Sequence, residues 1–205
     1  HFLSPPKLGD AKIMVTTERS GRLVDFLRFQ LVQGDKTLLL ATGVWGVEGA
    51  SPSFPQLRMP DVPPPDKCIP IDRIIEHPIR LREQWETRSA MTPELTQDTI
   101  GQQRQEADLS WWIRPAEPTA TGTPLIVAIS DALPPPVFSI TPQIRFVPTI
   151  DLTVHIRAEL STIDWPAAEW VLVRFVTRHV SNGYLEEDGQ IWLRDGTLLG
   201  MSRQL

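Results

Sequence analysis

Asp131 is the one ionisable side chain in PLIVAISDALPPP (124–136), where it stands among Leu125, Ile126, Val127, Ala128, Ile129, Ala132 and Leu133. A carboxylate so placed could lie in a partly desolvated setting. Thr123 and Pro124 offer an N-cap hydroxyl and an N1 proline, and Pro134, Pro135 and Pro136 stop the chain, which predicts a helix running to about Leu133. Apolar on nearly every side, that helix reads as buried. Asp131 then falls in its last turn, where the negative end of the helix dipole disfavours a carboxylate by a few tenths to ~1 kcal/mol. The bland alternative leaves Asp131 at a frayed, wet helix end beside the prolines.

In IDLTVHIRAEL (150–160), Leu152, Val154, Ile156, Ala158 and Leu160 form one face of a strand and Asp151, Thr153, His155, Arg157 and Glu159 the other. Thr149 shares the polar parity. From the residues alone it is a hydroxyl at the start of a strand after Pro148. His155 is a half-exposed strand residue with no partner carboxylate identifiable by spacing, and Gln204 is a solvated residue near the end of the chain. Rival chemistries lack their signatures: there is no G-x-S-x-G elbow, no H-E-x-x-H, no P-loop and no Rossmann glycine fingerprint. Cys68 is the single cysteine, so the sequence offers neither a disulfide framework nor a cysteine pair for a metal, and no metal or redox cofactor is called for.

The elements that must position these residues fall into two halves. KIMVTTE (12–18) and LVDFLRFQLV (23–32) alternate, with turns at Ser20-Gly21 and Gly34-Asp35, which predicts three antiparallel strands between Asp10 and Trp45. Eight prolines between Ser51 and Pro78 forbid a central strand or a helix interior and read as a linker over a surface. From Arg80 to Glu106 the chain is highly charged, with IRLREQWE a short strand or helix. A strand around Asp108 to Arg114 precedes the helix; after it come 150–160, EWVLVRFVTRHV (169–180), and a strand ending at the tight-turn dipeptide Asp195-Gly196 before TLLGMSRQL (197–205). One helix followed by long antiparallel strands is an α+β arrangement. GRLVDFLRFQLVQG (21–34) also lies on GYLEEDGQIWLRDG (183–196) with four identities in fourteen, a sign of duplication that sets His1 opposite roughly His155 and Val44 opposite Gln204. The first copy then lacks a counterpart of 108–133, so its sheet calls for further N-terminal residues or another chain to cover it.

With 41% hydrophobic and 22% charged residues in 205, the composition fits a folded, soluble protein with one large or two small cores. The longest apolar run, Leu125 to Ile129, is far short of a membrane span, and His1-Phe2-Leu3-Ser4-Pro5-Pro6 has no signal pattern, so no membrane partner is expected. A net charge of -5 argues against nucleic acid as a partner. A reducing, cytoplasmic location is expected, with a peroxisomal one left open.

LIVAISDALPPPVF (125–138), PTIDLTVHIRAEL (148–160) and IWLRDGTLLGMSRQL (191–205) resemble the acyl-CoA thioesterase family whose subunits contain two hotdog folds. HFLSPP, SGRLVDFLRFQLVQGDKTLLLATGVWG and the Pro-rich linker resemble the family's first hotdog without its opening strand and helix. The resemblance implies an α+β tandem (double) hotdog, antiparallel sheets wrapped around a buried helix. Its parts are the C-terminal strands of a first hotdog at 1–50, a linker at 51–102, and a second hotdog with the active site at 103–205. It also implies catalytic residues Asp131, Thr149 and Gln204 around a water that attacks a thioester, an acyl-CoA or acyl-carrier substrate and no cofactor, and it leaves a homo-oligomer open. Leu152 stands where many members carry His, and Leu205 where an acidic residue often follows the glutamine. The expected function is hydrolysis of acyl thioesters. A non-hydrolytic hotdog enzyme of cyclase or dehydratase type and a non-catalytic acyl-binding module stay as alternatives.

Overall fold

The computed structural model describes residues 1–47, 49, 54, 57–71, 80–91, 106–141 and 146–205. The chain divides into two compact units, His1–Gln56 with Thr149–Leu152, and Leu57–Pro148 with Thr153–Leu205.

In the first unit β1 (Lys12–Ser20), β2 (Val24–Gln33) and β3 (Lys36–Gly46) form an antiparallel sheet in that order. Gly34, at φ 59, closes the β2–β3 turn in the left-handed region, where a side chain would be strained. One face carries Ile13, Val15, Phe29 and Ala41, and Ile13 is 70% exposed. Trp45 fills the space that Gly43 leaves and meets Phe29 with ring centroids 5.9 Å apart. Residues 1–4 run beside β3: Leu3 N donates to Leu38 O at 2.8 Å and Leu40 N to His1 O at 3.1 Å. Phe2 N donates to Ile150 O at 3.0 Å, which ties Thr149–Leu152 to this unit.

The second unit holds a sheet of seven strands in the order β4-β5-β6-β8-β11-β12-β7. These are β4 (Ile69–Pro70), β5 (Trp85–Ser89), β6 (Ala107–Pro115), β7 (Leu152–Ile156), β8 (Val171–Thr177), β11 (Glu187–Leu193) and β12 (Leu198–Gln204). Between β8 and β11, the short strands β9 (Val180–Ser181) and β10 (Tyr184–Leu185) pair across Asn182 and Gly183, both at positive φ as a tight hairpin requires. β8 reads VLVRFVT, apolar at both parities, and β6 holds Trp111 and Trp112 side by side. Such strands need cover on both faces.

They have it. On the inner face Leu109, Trp111, Val173, Phe175 and Ile191 pack with Leu125, Ile126 and Ile129 of helix α1 (Thr123–Ile129). On the outer face Trp112, Leu172 and Trp192 cluster with Ala90 and Trp170, and Met59, Val62 and Cys68 from the Pro-rich segment close over them. Trp112 Nε1 donates to Pro63 O at 2.8 Å and Arg88 Nη1 to Pro65 O at 2.9 Å, so carbonyls that have no strand partner are used as acceptors. The guanidinium groups of Arg88 and Arg114 lie 5.3 and 4.6 Å from the Trp170 ring centroid.

Five local expectations change. α1 ends at Ile129 rather than near Leu133, and its N-cap is Gly122, at φ 132, with Thr123 already helical. The helix is also buried on one side only, since Pro124, Val127 and Ala128 are exposed; two turns are too short to wrap an apolar surface all round. β7 stops at Ile156 because the chain turns at 159–162, where Thr162 N donates to Glu159 O, although burial keeps alternating to Leu160. Within the stretch expected to be a linker, 51–102, residues 57–71 and 80–91 belong to the second unit and supply β4 and β5. Proline is tolerated there because β4, with Pro70, is the edge strand. Of that stretch, 51–53, 55, 56, 72–79 and 92–102 lie outside the described residues.

The hairpins β2–β3 and β11–β12 share a one-residue bulge on their second strand, at Leu38 and Leu199, both buried. With those leucines equated, Leu3, donating to Leu38 O, falls on Arg157, donating to Leu199 O at 2.9 Å. His1 therefore falls on His155, the pairing that the repeat in the sequence suggests.

α1 can approach the sheet closely because position 200 is glycine: a Cβ there would lie 2.8 Å from Ile126 Cγ2. Gly200→Ala is expected to cost about 1–3 kcal/mol through displacement of Ile126. Urea denaturation of the two proteins measures it, and an unchanged midpoint would mean that α1 is not tightly seated.

Candidate functional site

Facing residues on β6, β8, β11 and β12 form rows across the inner face. One row is Trp111, Val173, Ile191 and Gly200, and the next Leu109, Phe175, Gly189 and Ser202. The row after that is different in kind. Ala107 faces Thr177, Glu187 faces Gln204, and the register that pairs Asp188 with Val176 sets Glu187 beside Thr177. Thr177, Glu187 and Gln204 are 6, 2 and 8% exposed, so the apolar face ends in a buried polar row.

Gln204 Nε2 donates to Glu187 Oε1. Glu187 Oε2 and Thr177 Oγ1 are buried with no hydrogen-bond partner among the described residues. An ionised carboxylate loses more on leaving water than a protonated one, and burial pushes the Glu187 carboxyl up to about 8. The Gln204 N–H works against that rise, while the negative charges of Asp131 and Glu186 add to it.

Its neighbours in the acidic run Glu186-Glu187-Asp188 fare otherwise. Asp188 has the opposite parity, where Arg203, and after it Arg178, donate to its carboxylate and hold it below the ordinary value. Glu186 accepts the backbone N–H groups of Arg178 and His179, at 3.0 and 3.1 Å. Only Glu187 is turned to the inner face.

Asp131 is the first residue beyond Ser130, the C-cap of α1, and is half-buried between buried Ser130 and Ala132. Ser130 Oγ donates to Val127 O at 2.7 Å and Ala132 N to Ile129 O at 3.2 Å. This helix end is packed, and the alternative of a frayed, wet terminus does not describe it. Gln204 is hydrogen-bonded to Glu187, and the charge of Asp131 adds to the rise of the Glu187 carboxyl. Thr149 is half-buried in the segment Thr149–Leu152 that belongs to the first unit. His155 is exposed on β7.

Glu187 and Thr177 are absent from the sequence-derived set. The available signal was parity: Glu187 shares that of Ile191 and Leu193, but its charged neighbours make it read as part of a solvated run. The first unit has no such row. With Leu38 on Leu199, Gly43 rather than Val44 corresponds to Gln204, and its facing residue Leu27, itself opposite Thr17, corresponds to Glu187.

A family model described as the acyl-CoA thioesterase C-terminal domain matches residues 65–205. Among solved structures, a hotdog-fold protein of unknown function from Alicyclobacillus acidocaldarius superposes with a TM-score of 0.84 at 24% identity, over 99% of this chain and 74% of its own. A candidate thioesterase II from Thermobifida fusca YX gives 0.82 at 24% identity, over 100% and 74%. An acyl-CoA thioesterase II from Mycobacterium marinum gives 0.69 at 19% identity, over 99% and 75%. No curated protein matches the sequence. The fold is therefore the α+β hotdog.

The buried Glu187 makes stability depend on pH. Between an ordinary 4.5 and about 8, the folded chain keeps a proton that the unfolded chain has released. The stability this group contributes is whole below that window, falls by up to roughly 1.4 kcal/mol per pH unit within it, and is level above. Glu187→Gln cannot ionise and lacks the slope. Its stability relative to the wild type, from urea titrations, is expected to rise steadily across the window, and parallel curves would place the Glu187 proton elsewhere.

Proposed function

This chain belongs to the acyl-CoA thioesterase family, and from that premise we propose that it hydrolyses acyl thioesters, of coenzyme A or of an acyl carrier, with a water held by Asp131 and Gln204. The observation that carries this reading is the buried row of Thr177, Glu187 and Gln204 at the end of a largely apolar face, with Asp131 adding to the rise of the Glu187 carboxyl. A thioester carbonyl is already electrophilic, so a well-placed water can replace a nucleophilic side chain.

The water oxygen attacks the carbonyl carbon while one of its protons passes to the Asp131 carboxylate. The tetrahedral intermediate then collapses, the C–S bond breaks, and the departing sulfur takes that proton back from Asp131. A carboxylic acid and a free thiol leave. Gln204 donates an N–H to Glu187, and an amide oxygen is of a type that accepts a hydrogen bond from a water. The family resemblance adds the Thr149 hydroxyl as a third group on that water.

Asp131→Asn keeps the shape and removes the base. Release of free thiol from a panel of acyl-CoAs is expected to fall by about 100-fold to 10,000-fold, with binding retained. Thr149→Val is expected to lower turnover as well, whereas His155→Ala changes it by less than about twofold, as at exposed positions generally. Unchanged hydrolysis by Asp131→Asn would overturn the mechanism.

A further inference from the structure

We infer that Glu187 keeps a proton on its buried carboxyl and acts as the positioning residue for Gln204. Four observations converge on this role, which rests on the thioesterase reading only where turnover is concerned.

The first is coordination. An ionised carboxylate needs donors on both oxygens, and Glu187 has one, the Gln204 amide on Oε1, while Oε2 is buried and unpartnered among the described residues. The second is the surroundings. Gln204 faces it from β12 and Thr177 lies beside it on β8, and the charges that act on its carboxyl are those of Asp131 and Glu186. None of these is a cation, because Arg178 and Arg203 are engaged with Asp188 on the other face.

The third is the asymmetry of an amide. Its two ends differ, and a Glu187 oxygen that accepts the Gln204 N–H holds the N–H end toward Glu187, whether the carboxyl is neutral or ionised. What ionisation would change is charge: it would set a negative charge against the oxyanion that forms at the carbonyl. The fourth is the repeat. The first unit, with Leu27 and Gly43 at these two positions, has neither partner, so the acid and the amide occur together on the copy that carries Asp131.

The test compares wild type, Glu187→Gln and Glu187→Leu by steady-state hydrolysis of acyl-CoA across pH and by infrared spectroscopy. A proton on Glu187 predicts a protonated-carboxyl band at neutral pH that disappears as pH rises through about 8 and is absent from both variants. Glu187→Gln, neutral at every pH and still an acceptor for Gln204, is expected to lower kcat by no more than about threefold. It should also abolish the decline of kcat above about pH 8. Glu187→Leu, which removes the acceptor that Glu187 offers the Gln204 N–H, is expected to lower kcat by roughly 30- to 100-fold with KM little changed.

A loss in Glu187→Gln equal to that in Glu187→Leu would overturn the inference, since the charge itself would then be required. So would full activity in Glu187→Leu, or hydrolysis by a wild type without the infrared band. A wild type with the band but without hydrolysis of any thioester overturns the thioesterase reading, and the role in turnover with it, while establishing the proton on Glu187.

Discussion

Ile126 reaches the sheet through a gap that exists only because residue 200 has no side chain. That contact is the fixed point from which the rest of the second unit is measured. It sets how near a two-turn helix can lie to β12, and so where the chain emerges at Ser130. The same strand carries Gln204 four residues further on, an even step, so the amide lies on the face to which Ile126 is pressed. A looser helix would still bury Leu125 and Ile129, but it would leave Asp131 to settle in water, where its charge could not act on Glu187.

The two units show what such a contact changes. Both are built on an antiparallel hairpin with a bulged, buried leucine and a third strand alongside. In the first, the face equivalent to the inner one carries Phe29, Trp45 and a largely exposed Ile13, and aromatic rings fill the room above Gly43. In the second, glycines at 189 and 200 make room for Phe175, Ser202 and the helix, and the far row has become polar. A shared backbone hydrogen-bond pattern thus holds two different surfaces, decided by which positions lack a side chain.

Much of this architecture can be read from local pattern. The alternation in IDLTVHIRAEL matches burial residue by residue from Leu152 to Leu160, because strand parity is a property of the backbone. Asp131 is legible as a lone charge beside an apolar helix, whereas that helix ends four residues before Leu133, since Ala132 and Leu133 extend the apolar pattern but the chain already turns at Ser130. β5 was ambiguous because WETRS carries no alternation of its own and becomes a strand only by pairing with β6. Glu187 and Gln204 were hidden for a shared reason: each looks solvated by itself, and burial follows only once they face one another across two strands more than a dozen residues apart.

The aromatic residues that close the two faces of the sheet also give the protein its own optical labels. Of the seven tryptophans, Trp45 alone belongs to the first unit, and it is 48% exposed. Trp85, Trp111 and Trp165 belong to the inner cluster, and Trp112, Trp170 and Trp192 to the outer one beneath the proline-rich cover. Indole emission shifts to longer wavelength on contact with water, so the intrinsic fluorescence of this chain is overwhelmingly a signal from the second unit, with Trp45 as a separate, red-shifted reporter on the first. Whether the two units unfold as one cooperative body or in succession is therefore written in whether those two emissions change together.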